Sequence, residues 1–237
     1  MSKKTHSILS VLLLVCCIHM QAKVYLVSAG IADYPGVKND LRISDNDAKT
    51  IAKMFESTKE ASVNILLNEE ATQSALLSTM HTSFADAESG DAVILYFSGH
   101  GTPGAIVCHD GLLTYQHIFK MLKGCKANRK IIIADACYSG KMRKSKQHTN
   151  DYKSENVMLF LSSRTNETSQ ETKYKNSLFT IYLERGLRGG ADVNKDRRIT
   201  AREIYDFVHK GVIEESKSTQ HPVMWGNFDN NMSIIKW

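Results

Sequence analysis

The sequence predicts an α/β fold with a mostly parallel sheet and helices on both faces. Two apolar runs, residues 93–97 and 131–133, have the composition of strands that are buried on both faces of a sheet. The chain between them, residues 101–130, can hold a hairpin and a helix, which is enough for one crossover connection. Strand patterns also alternate with helix patterns along the chain, and this alternation favours parallel strands covered by helices.

The first half of the chain is predicted to form strand–helix units. Asp45 is expected to cap the first helix, whose apolar residues recur on one face at Ala48, Ile51 and Phe55. The predicted elements are a strand at 23–29, a loop at 30–44 with a turn at Pro35-Gly36, that first helix, a strand at 63–67, a helix at 72–87 and a strand at 91–98.

The second half continues the alternation after a hairpin around Asp110-Gly111, which is a two-residue turn signal. The predicted elements are that hairpin at 105–114, a helix at 115–122, strands at 130–134 and 157–163, a helix at 177–188 closed by Gly189-Gly190, a helix at 200–215 and a closing strand within 221–237.

Two chemically active side chains follow two of the core strands. His100 lies in Ser-Gly-His-Gly after one strand, and Cys137 lies in Asp-Ala-Cys-Tyr-Ser-Gly after the other. The carboxyl ends of parallel strands meet at one edge of a sheet, where sites are commonly built. Either residue alone reads as a buried thiol or a satisfied polar group. Together they predict a dyad in which the imidazole takes the thiol proton and the thiolate attacks a carbonyl.

The two motifs, S-G-H-G and D-A-C-Y-S-G, resemble those of the caspase and metacaspase superfamily of cysteine peptidases, especially its bacterial caspase-like members. The similarity runs from Lys23 to near the C-terminus. It implies a caspase-like three-layer sandwich, with His100 as the base and Cys137 as the nucleophile. It also implies that the N–H groups of Gly101 and Cys137 form an oxyanion hole, which stabilises developing negative charge.

Asp135 is the candidate for substrate specificity, since a carboxylate beside the nucleophile would pair with an incoming Lys or Arg. The resemblance supports this, because metacaspases have Asp here and cut after basic residues, whereas caspases have Gln and cut after Asp. Asp47 and Ser98 look like two further pocket positions of metacaspases, although Asp40 and Asp45 lie close to Asp47.

Two alternatives to this pocket stay open. Arg42 lies in the region where caspases place an arginine that binds an acidic side chain, so Asp specificity is the alternative. Asp135 would also serve as a cap for backbone N–H groups at the turn after the strand.

Residues 141–155, which follow the nucleophile, are polar, basic and unpatterned, which is typical of an exposed loop. The simple interpretation is a solvated loop. The alternative is a self-cleavage site, since an enzyme that cuts after Lys or Arg would find Lys141, Arg143, Lys144 and Lys146 there.

A candidate calcium loop spans residues 192–203, with oxygen ligands expected from Asp192, Asn194, Asp196 and Glu203. Position six of such a loop should be Gly, and here it is Arg197. Thr200 and Glu203 also form a capping-box pattern, which explains Glu203 without a metal. Calcium is therefore one hypothesis and a polar helix entry is the other; the expected peptidase chemistry requires no cofactor.

The first residues, 1–22, have a basic start, a short apolar core and a small residue at a plausible cut point, which indicates a signal peptide. We expect a secreted or periplasmic protein, with residues 23–237 as one caspase-like domain and no stable membrane insertion after processing. An uncleaved anchor, a buried first helix and lipid attachment at Cys16 or Cys17 stay open.

Charge and cysteine content limit the kinds of binding partner and of scaffold that the sequence indicates. The 237-residue chain has a net charge of +5 with scattered basic residues, so nothing indicates nucleic-acid binding. Without the signal, Cys108, Cys125 and Cys137 remain, which does not indicate a disulfide scaffold; Cys108 and Cys125 read as free thiols, with a pair as the alternative. We expect a peptide or protein substrate and a monomer.

Two other classes of function fit this sequence less well. A catalytically silent binding module of the same fold would generally have lost Cys or His, and both are present. A nucleotide-binding α/β domain would carry a Gly-rich phosphate loop of the G-x-x-x-x-G-K type, which this sequence lacks.

Overall fold

The computed structural model describes residues 22–136, 156–164 and 175–237. Cys137, the predicted self-cleavage loop at 141–155 and the predicted signal peptide, apart from Ala22, lie outside the described residues. The described strands are β1 (Val24–Gly30), β2 (Ala61–Leu67), β3 (Ala92–Gly99), β4 (Gly101–Thr102), β5 (Ala105–Cys108), β6 (Gly111–Thr114), β7 (Arg129–Ala136), β8 (Val157–Leu161), β9 (Arg198–Thr200), β10 (Val223–Gly226) and β11 (Ser233–Lys236). The described helices are α1 (Ser44–Glu56), α2 (Gln73–Phe84), α3 (Tyr115–Lys123), α4 (Leu178–Arg185) and α5 (Ala201–Glu215), with a π-helical turn at Gly186–Gly190 and 3-10 turns at Val37–Asn39 and Asn68–Glu70.

The main sheet has the strand order β10-β8-β7-β3-β1-β2. β2, β1, β3, β7 and β8 pair in parallel, and β10 is antiparallel to β8 at one edge. The predicted hairpin forms β5 and β6, which make a small antiparallel sheet with β4, while β9 pairs with β11. The predicted mostly parallel sheet is therefore confirmed.

The core lies in two layers, one on each face of the sheet. Leu26, Ile94 and Ile131 point to the face covered by α1, α4 and α5. Val27 and Leu95 point to the opposite face, covered by α2 and α3. Successive residues of one strand thus enter different layers, as the two-residue period of a strand requires. The chain forms the predicted three-layer sandwich.

The structure corrects two details of the predicted elements. α1 begins at Ser44 after Ile43, and no side chain caps it; Asp45 lies in the first turn and pairs with Lys49. The start of α1 packs closely on the end of β1, since a Cβ at Gly30 would collide with the Ser44 carbonyl. The C-terminal tail contributes two strands, β10 and β11, because its apolar runs pair with two separate partners.

The carboxyl ends of β1, β3 and β7 meet at one edge of the sheet, called here the carboxyl edge. Gly30 pairs with Ser98, Ser98 pairs with Asp135, and Gly99 pairs with Ala136. β2 lies on one side of β1 and β3 on the other, so the strand order reverses between β1 and β3. Ligand sites commonly form at such a topological switch point. Among the described residues, no helix has the length and apolarity needed to cross a membrane.

Candidate active site

His100 stands directly after β3 at the carboxyl edge. Its ring Nε2 lies 2.6 Å from the main-chain oxygen of Asn39. A carbonyl oxygen only accepts hydrogen bonds, so Nε2 carries the proton in the neutral ring and Nδ1 keeps its lone pair. The ring is therefore oriented so that Nδ1 is the nitrogen able to accept a proton.

Asn39 was not predicted as part of the site, because its contribution is a backbone carbonyl, which no side-chain pattern reveals. It sits in a loop between β1 and α1 that is held by several local bonds. The Asn39 N–H donates to the Gly36 oxygen, and its side chain donates to the Pro35 oxygen at 2.9 Å. These bonds fix the carbonyl that orients His100.

Cys137 lies outside the described residues, so its distance to His100 is not part of this geometry. The residue before it, Ala136, pairs with Gly99, which is the residue before His100. The Ala136 carbonyl accepts hydrogen bonds from the hydroxyls of Ser162 and Ser163 at 3.5 and 3.4 Å. The two predicted reactive residues therefore follow paired positions on neighbouring strands.

Gly101, the predicted oxyanion donor, pairs with Ile106 in the ladder between β4 and β5. The adjacent position is hydrogen-bonded, since the Val107 N–H donates to the His100 oxygen at 3.0 Å. Hydrogen-bonded and non-hydrogen-bonded pairs alternate in antiparallel ladders, so the Gly101 N–H points away from β5. This orientation leaves the Gly101 N–H outside the ladder.

The three predicted pocket residues, Asp47, Ser98 and Asp135, come together below the carboxyl edge. All three are buried. The Ser98 hydroxyl donates to Asp47 Oδ2 at 2.9 Å, and Ser98 is the register partner of Asp135. The structure thus gathers the predicted cluster from α1, β3 and β7.

Three residues around α4 complete this cluster and were not predicted. Ser177 links the two carboxylates: its N–H donates to Asp47 at 2.9 Å and its hydroxyl donates to Asp135. Thr180 also donates to Asp135, at 3.1 Å, and Asn176 donates to Asp47 at 2.9 Å. The sequence signal was limited to Ser177 as a helix cap, because its carboxylate partners are 130 and 42 positions away.

Burial and the neighbouring charge of Asp135 raise the pKa of Asp47 to about 7. Hydrogen bonds from Asn176 and Ser177 lower the pKa of Asp47 and so oppose this shift. These two residues and Ser98, which also donates to Asp47, carry no charge. Burial and the same two carboxylates raise the pKa of the Tyr96 hydroxyl, which bonds to Thr180. Asp47 therefore takes up a proton near neutral pH.

The nearby alternatives to Asp47 have other roles. Asp40 accepts the Tyr34 N–H at 3.1 Å, and Asp45 pairs with Lys49 at 2.7 Å on the helix surface. Arg42, the residue behind the alternative of Asp specificity, is exposed. Asp47 is thus the acidic residue of this stretch that reaches Asp135.

In the candidate calcium loop, carboxylate and amide oxygens accept backbone N–H groups. Asp192 accepts from Asp196 and Arg197, and Asn194 accepts from Asp196. Glu203 faces Thr200 in the predicted capping box, which is present. Among the described residues, no group of three His, Cys, Asp or Glu side chains is placed to hold a metal ion. The calcium loop stays a prediction.

Cys108 and Cys125 are free thiols, which confirms the simpler of the two interpretations. Burial raises the pKa of Cys108 to about 12. Cys125 is half-buried, and its thiol donates to the Phe84 oxygen at 3.7 Å. Cys108 therefore does not have the setting of a reactive thiolate.

Comparison with known proteins gives a family and a fold. A family model described as the caspase domain matches residues 27–231. None of the curated proteins matches the chain. Caspase-1 from Spodoptera frugiperda is similar in structure, with a TM-score of 0.66 and 14% identity over 89% of each chain. Protein GSU0716 from Geobacter sulfurreducens is also similar, with a TM-score of 0.64 and 16% identity over 87% of this chain and 94% of that one.

Proposed function

The chain belongs to the caspase-domain family, and from this premise we propose that it is a cysteine endopeptidase that cleaves after Arg or Lys. Membership in the family supports a cysteine-protease function acting on protein substrates. The observation that carries the residue assignment is the His100 ring, held by Asn39 with Nδ1 as its proton acceptor, one position beyond the pairing of Gly99 with Ala136.

The proposed reaction follows the usual course of thiolate catalysis. His100 Nδ1 takes the thiol proton of Cys137, and the thiolate attacks the carbonyl carbon of the scissile peptide. Negative charge moves to the carbonyl oxygen, where the N–H groups of Gly101 and Cys137 donate to it. The imidazolium then protonates the leaving amine, and water hydrolyses the thioester to release the acid and the thiol.

The buried acidic cluster supports basic specificity. Asp47 and Asp135 lie together below the edge that carries His100, and the partners of Asp47 within the described part of the chain, Ser98, Asn176 and Ser177, are neutral. A substrate guanidinium or ammonium would supply positive charge to this cluster, with the guanidinium favoured because it pairs with a carboxylate through two parallel bonds.

The test is cleavage of matched fluorogenic peptides that end in Arg, Lys or Asp, with and without calcium. We expect the wild-type protein to turn over the Arg and Lys peptides and Cys137→Ala to turn over none. Asp135→Asn should lose most activity on the basic peptides. Asp91→Asn is the matched control, because Asp91 is likewise a buried and hydrogen-bonded carboxylate. Its donors are the N–H groups of Lys23 and Glu88, and it lies at the opposite end of β3.

Each result has a defined meaning. Turnover of Asp peptides alone would keep the dyad and replace basic by acidic specificity, with Arg42 as the residue to examine. Folded, intact protein with no turnover and no selective alkylation of Cys137 would favour a catalytically silent binding module. Activity that depends on calcium would support an ion at Asp192.

The proposal extends to the location and form of the protein. Residues 1–22 act as a cleaved signal, and residues 23–237 form one secreted or periplasmic domain that works as a monomer. N-terminal sequencing of the exported protein should begin at Lys23, and light scattering should give the mass of one chain. A start upstream of Cys16 or Cys17, or a lipid on either, would contradict the cleaved signal.

A further inference from the structure

The hydroxyl of Tyr34 is inserted into the ladder between β4 and β5, at the position of His100. In a hydrogen-bonded antiparallel pair, both residues exchange N–H···O bonds. Here one bond is direct, from the Val107 N–H to the His100 oxygen at 3.0 Å. The other runs through Tyr34: the His100 N–H donates to Tyr34 Oη at 2.9 Å, and this hydroxyl donates to the Val107 oxygen at 3.0 Å.

The rest of Tyr34 also contacts His100. The two rings have centroids 4.7 Å apart at an angle of 46°. Tyr34 is buried, and its loop supplies the Asn39 carbonyl that accepts from the imidazole. Burial raises the pKa of the Tyr34 hydroxyl, so it stays protonated and remains a donor to Val107. His100 is thus held through its main chain and its ring by one loop.

The close approach of Gly99 to Tyr34 is a second observation on the position of the Tyr34 hydroxyl. A Cβ at Gly99 would lie 2.5 Å from Tyr34 Oη, closer than a real contact allows. The hydroxyl therefore occupies space that any larger residue before His100 would take. Because Gly99 has no side chain, the Tyr34 hydroxyl can lie between the main chains of His100 and Val107.

We propose that Tyr34 is a positioning residue for the catalytic histidine: its hydroxyl widens the ladder at His100 by one bridging oxygen and so aims the imidazole at the carboxyl edge. The inference rests on the proposed function for the role of His100. It predicts that the orientation and tautomer of the ring depend on a hydroxyl that never touches substrate.

The test combines kinetics with the nitrogen NMR spectrum of the histidine rings, in which His100 is identified by its loss in His100→Gln. Tyr34→Phe keeps the ring and removes the bridging oxygen. We expect kcat for an Arg peptide to fall about tenfold or more with KM unchanged, because misplacement of a catalytic group by about 1 Å costs up to about a hundredfold. The single Nε2–H tautomer of His100 should become a mixture. Gly99→Ala, which removes no hydrogen-bonding group, should change the spectrum in the same way.

Tyr115→Phe is the matched control. Tyr115 is buried in the same apolar layer, and its hydroxyl has no hydrogen-bond partner among the described residues. We expect its kcat and its His100 spectrum to equal those of the wild type. A wild-type kcat in Tyr34→Phe, or a wild-type His100 spectrum in that variant, would overturn the proposal. If the wild-type protein cleaves no peptide, the proposed function fails, and the spectra alone still decide the role of Tyr34.

Discussion

Ser98 donates a 2.9 Å hydrogen bond to Asp47, although the two residues are 51 positions apart in the chain. Ser98 is the last side chain of β3 before Gly99 and His100, and Asp47 lies in the first turn of α1. The bond therefore joins the strand that leads to the candidate base with the helix that carries half of the acidic cluster. It places Asp47 beside Asp135, and their proximity has a consequence for pH.

Binding of basic substrates should strengthen as the pH rises through about 7. The pKa of Asp47 is raised to about 7 by burial and by Asp135, so Asp47 gains its charge in this range. The ionised fraction of a group with this pKa rises about tenfold between pH 6 and pH 8. We expect an uncleaved Arg peptide to bind Cys137→Ala roughly tenfold more tightly at pH 8 than at pH 6, as measured by calorimetry.

The control is the same measurement in Cys137→Ala with Asp47→Asn, which should bind weakly and without this pH dependence. The sign of the stability effect is opposite. A raised pKa contributes stability that is present at low pH and lost as the pH rises to about 7. Thermal melts of the unliganded protein should therefore lose more stability from pH 5 to pH 8 than those of Asp47→Asn. A binding constant independent of pH would contradict the role of Asp47.

Ser177→Ala should impair substrate binding as well as stability. Ser177 caps α4 by accepting the Thr180 N–H, and its hydroxyl also donates to Asp135. Thr72 caps α2 in the same manner but lies outside the acidic cluster. Thr72→Ala should cost about 1 kcal/mol of unfolding free energy. Ser177→Ala should cost more than this, because it also removes a hydrogen-bond donor from the buried Asp135.

The two cap variants should then differ in kinetics. We expect only Ser177→Ala to raise KM for Arg peptides, because Asp135 loses a partner that orients it. Denaturant melts and peptide kinetics on both proteins check this. Equal KM values in the two variants would mean that Ser177 acts as a helix cap alone.

Much of the fold could be predicted because its signals are local. Buried parallel strands are recognisable as runs of β-branched and apolar residues, and helices by their apolar face, so β3, β7 and α1 were anticipated. The start of α1 could not be predicted, since no side chain caps it and its first residue packs closely on Gly30, a tertiary contact. The partners of β10 and β11 also depend on tertiary contacts, which short apolar runs do not specify.

The candidate site divides in the same manner. His100 and Asp135 could be proposed as site residues because they follow or end predicted core strands, whereas Ser98 and Asp47 could be proposed only from the family resemblance. Asn39, Tyr34 and Ser177 could not, because each acts from a distant segment and all three make contacts that involve main-chain groups. Asn39 is 61 positions from His100, and Tyr34 is 66 positions from it. Such contacts exist only once the loop after β1 has folded onto the end of β3.

Cys137 should be the cysteine that alkylates first at neutral pH. Burial raises the pKa of Cys108 to about 12, and Cys125 is half-buried with a carbonyl partner. A thiol whose proton is taken by His100 would be present as thiolate. We expect iodoacetamide to label Cys137 at least about tenfold faster than the other two, as followed by peptide mass spectrometry, and His100→Ala to remove the difference. Equal labelling of all three would argue against the dyad.

Arg197→Gly should stabilise the loop before β9. Arg197 has φ of 62°, a left-handed conformation that costs a residue with a side chain about 1 kcal/mol or more. Glycine adopts this conformation without the steric cost, but it also loses more conformational entropy on folding than arginine does. The net stabilisation is therefore about 0.5 kcal/mol. Thermal melts should show a rise of roughly 1–2 °C. Arg202→Gly, on the exposed face of α5, is the control and should destabilise; a lower melting temperature for Arg197→Gly would contradict the strain.

The loop at 141–155 should be cut by the enzyme itself. It follows the proposed nucleophile and offers Lys141, Arg143, Lys144 and Lys146 to an endopeptidase of basic specificity. We expect purified wild-type protein to show a new N-terminus within residues 142–147, and Cys137→Ala to stay intact. A trace of wild-type enzyme should then cut Cys137→Ala, while a protein with Gln at all four basic positions should resist. That last variant keeps Cys137, so its kcat for Arg peptides shows whether cleavage of the loop is needed for activity. A kcat equal to that of the wild type would mean that the loop is cut but that the cut does not activate the enzyme. A Cys137→Ala protein that is cut in a preparation free of other proteases would contradict self-cleavage.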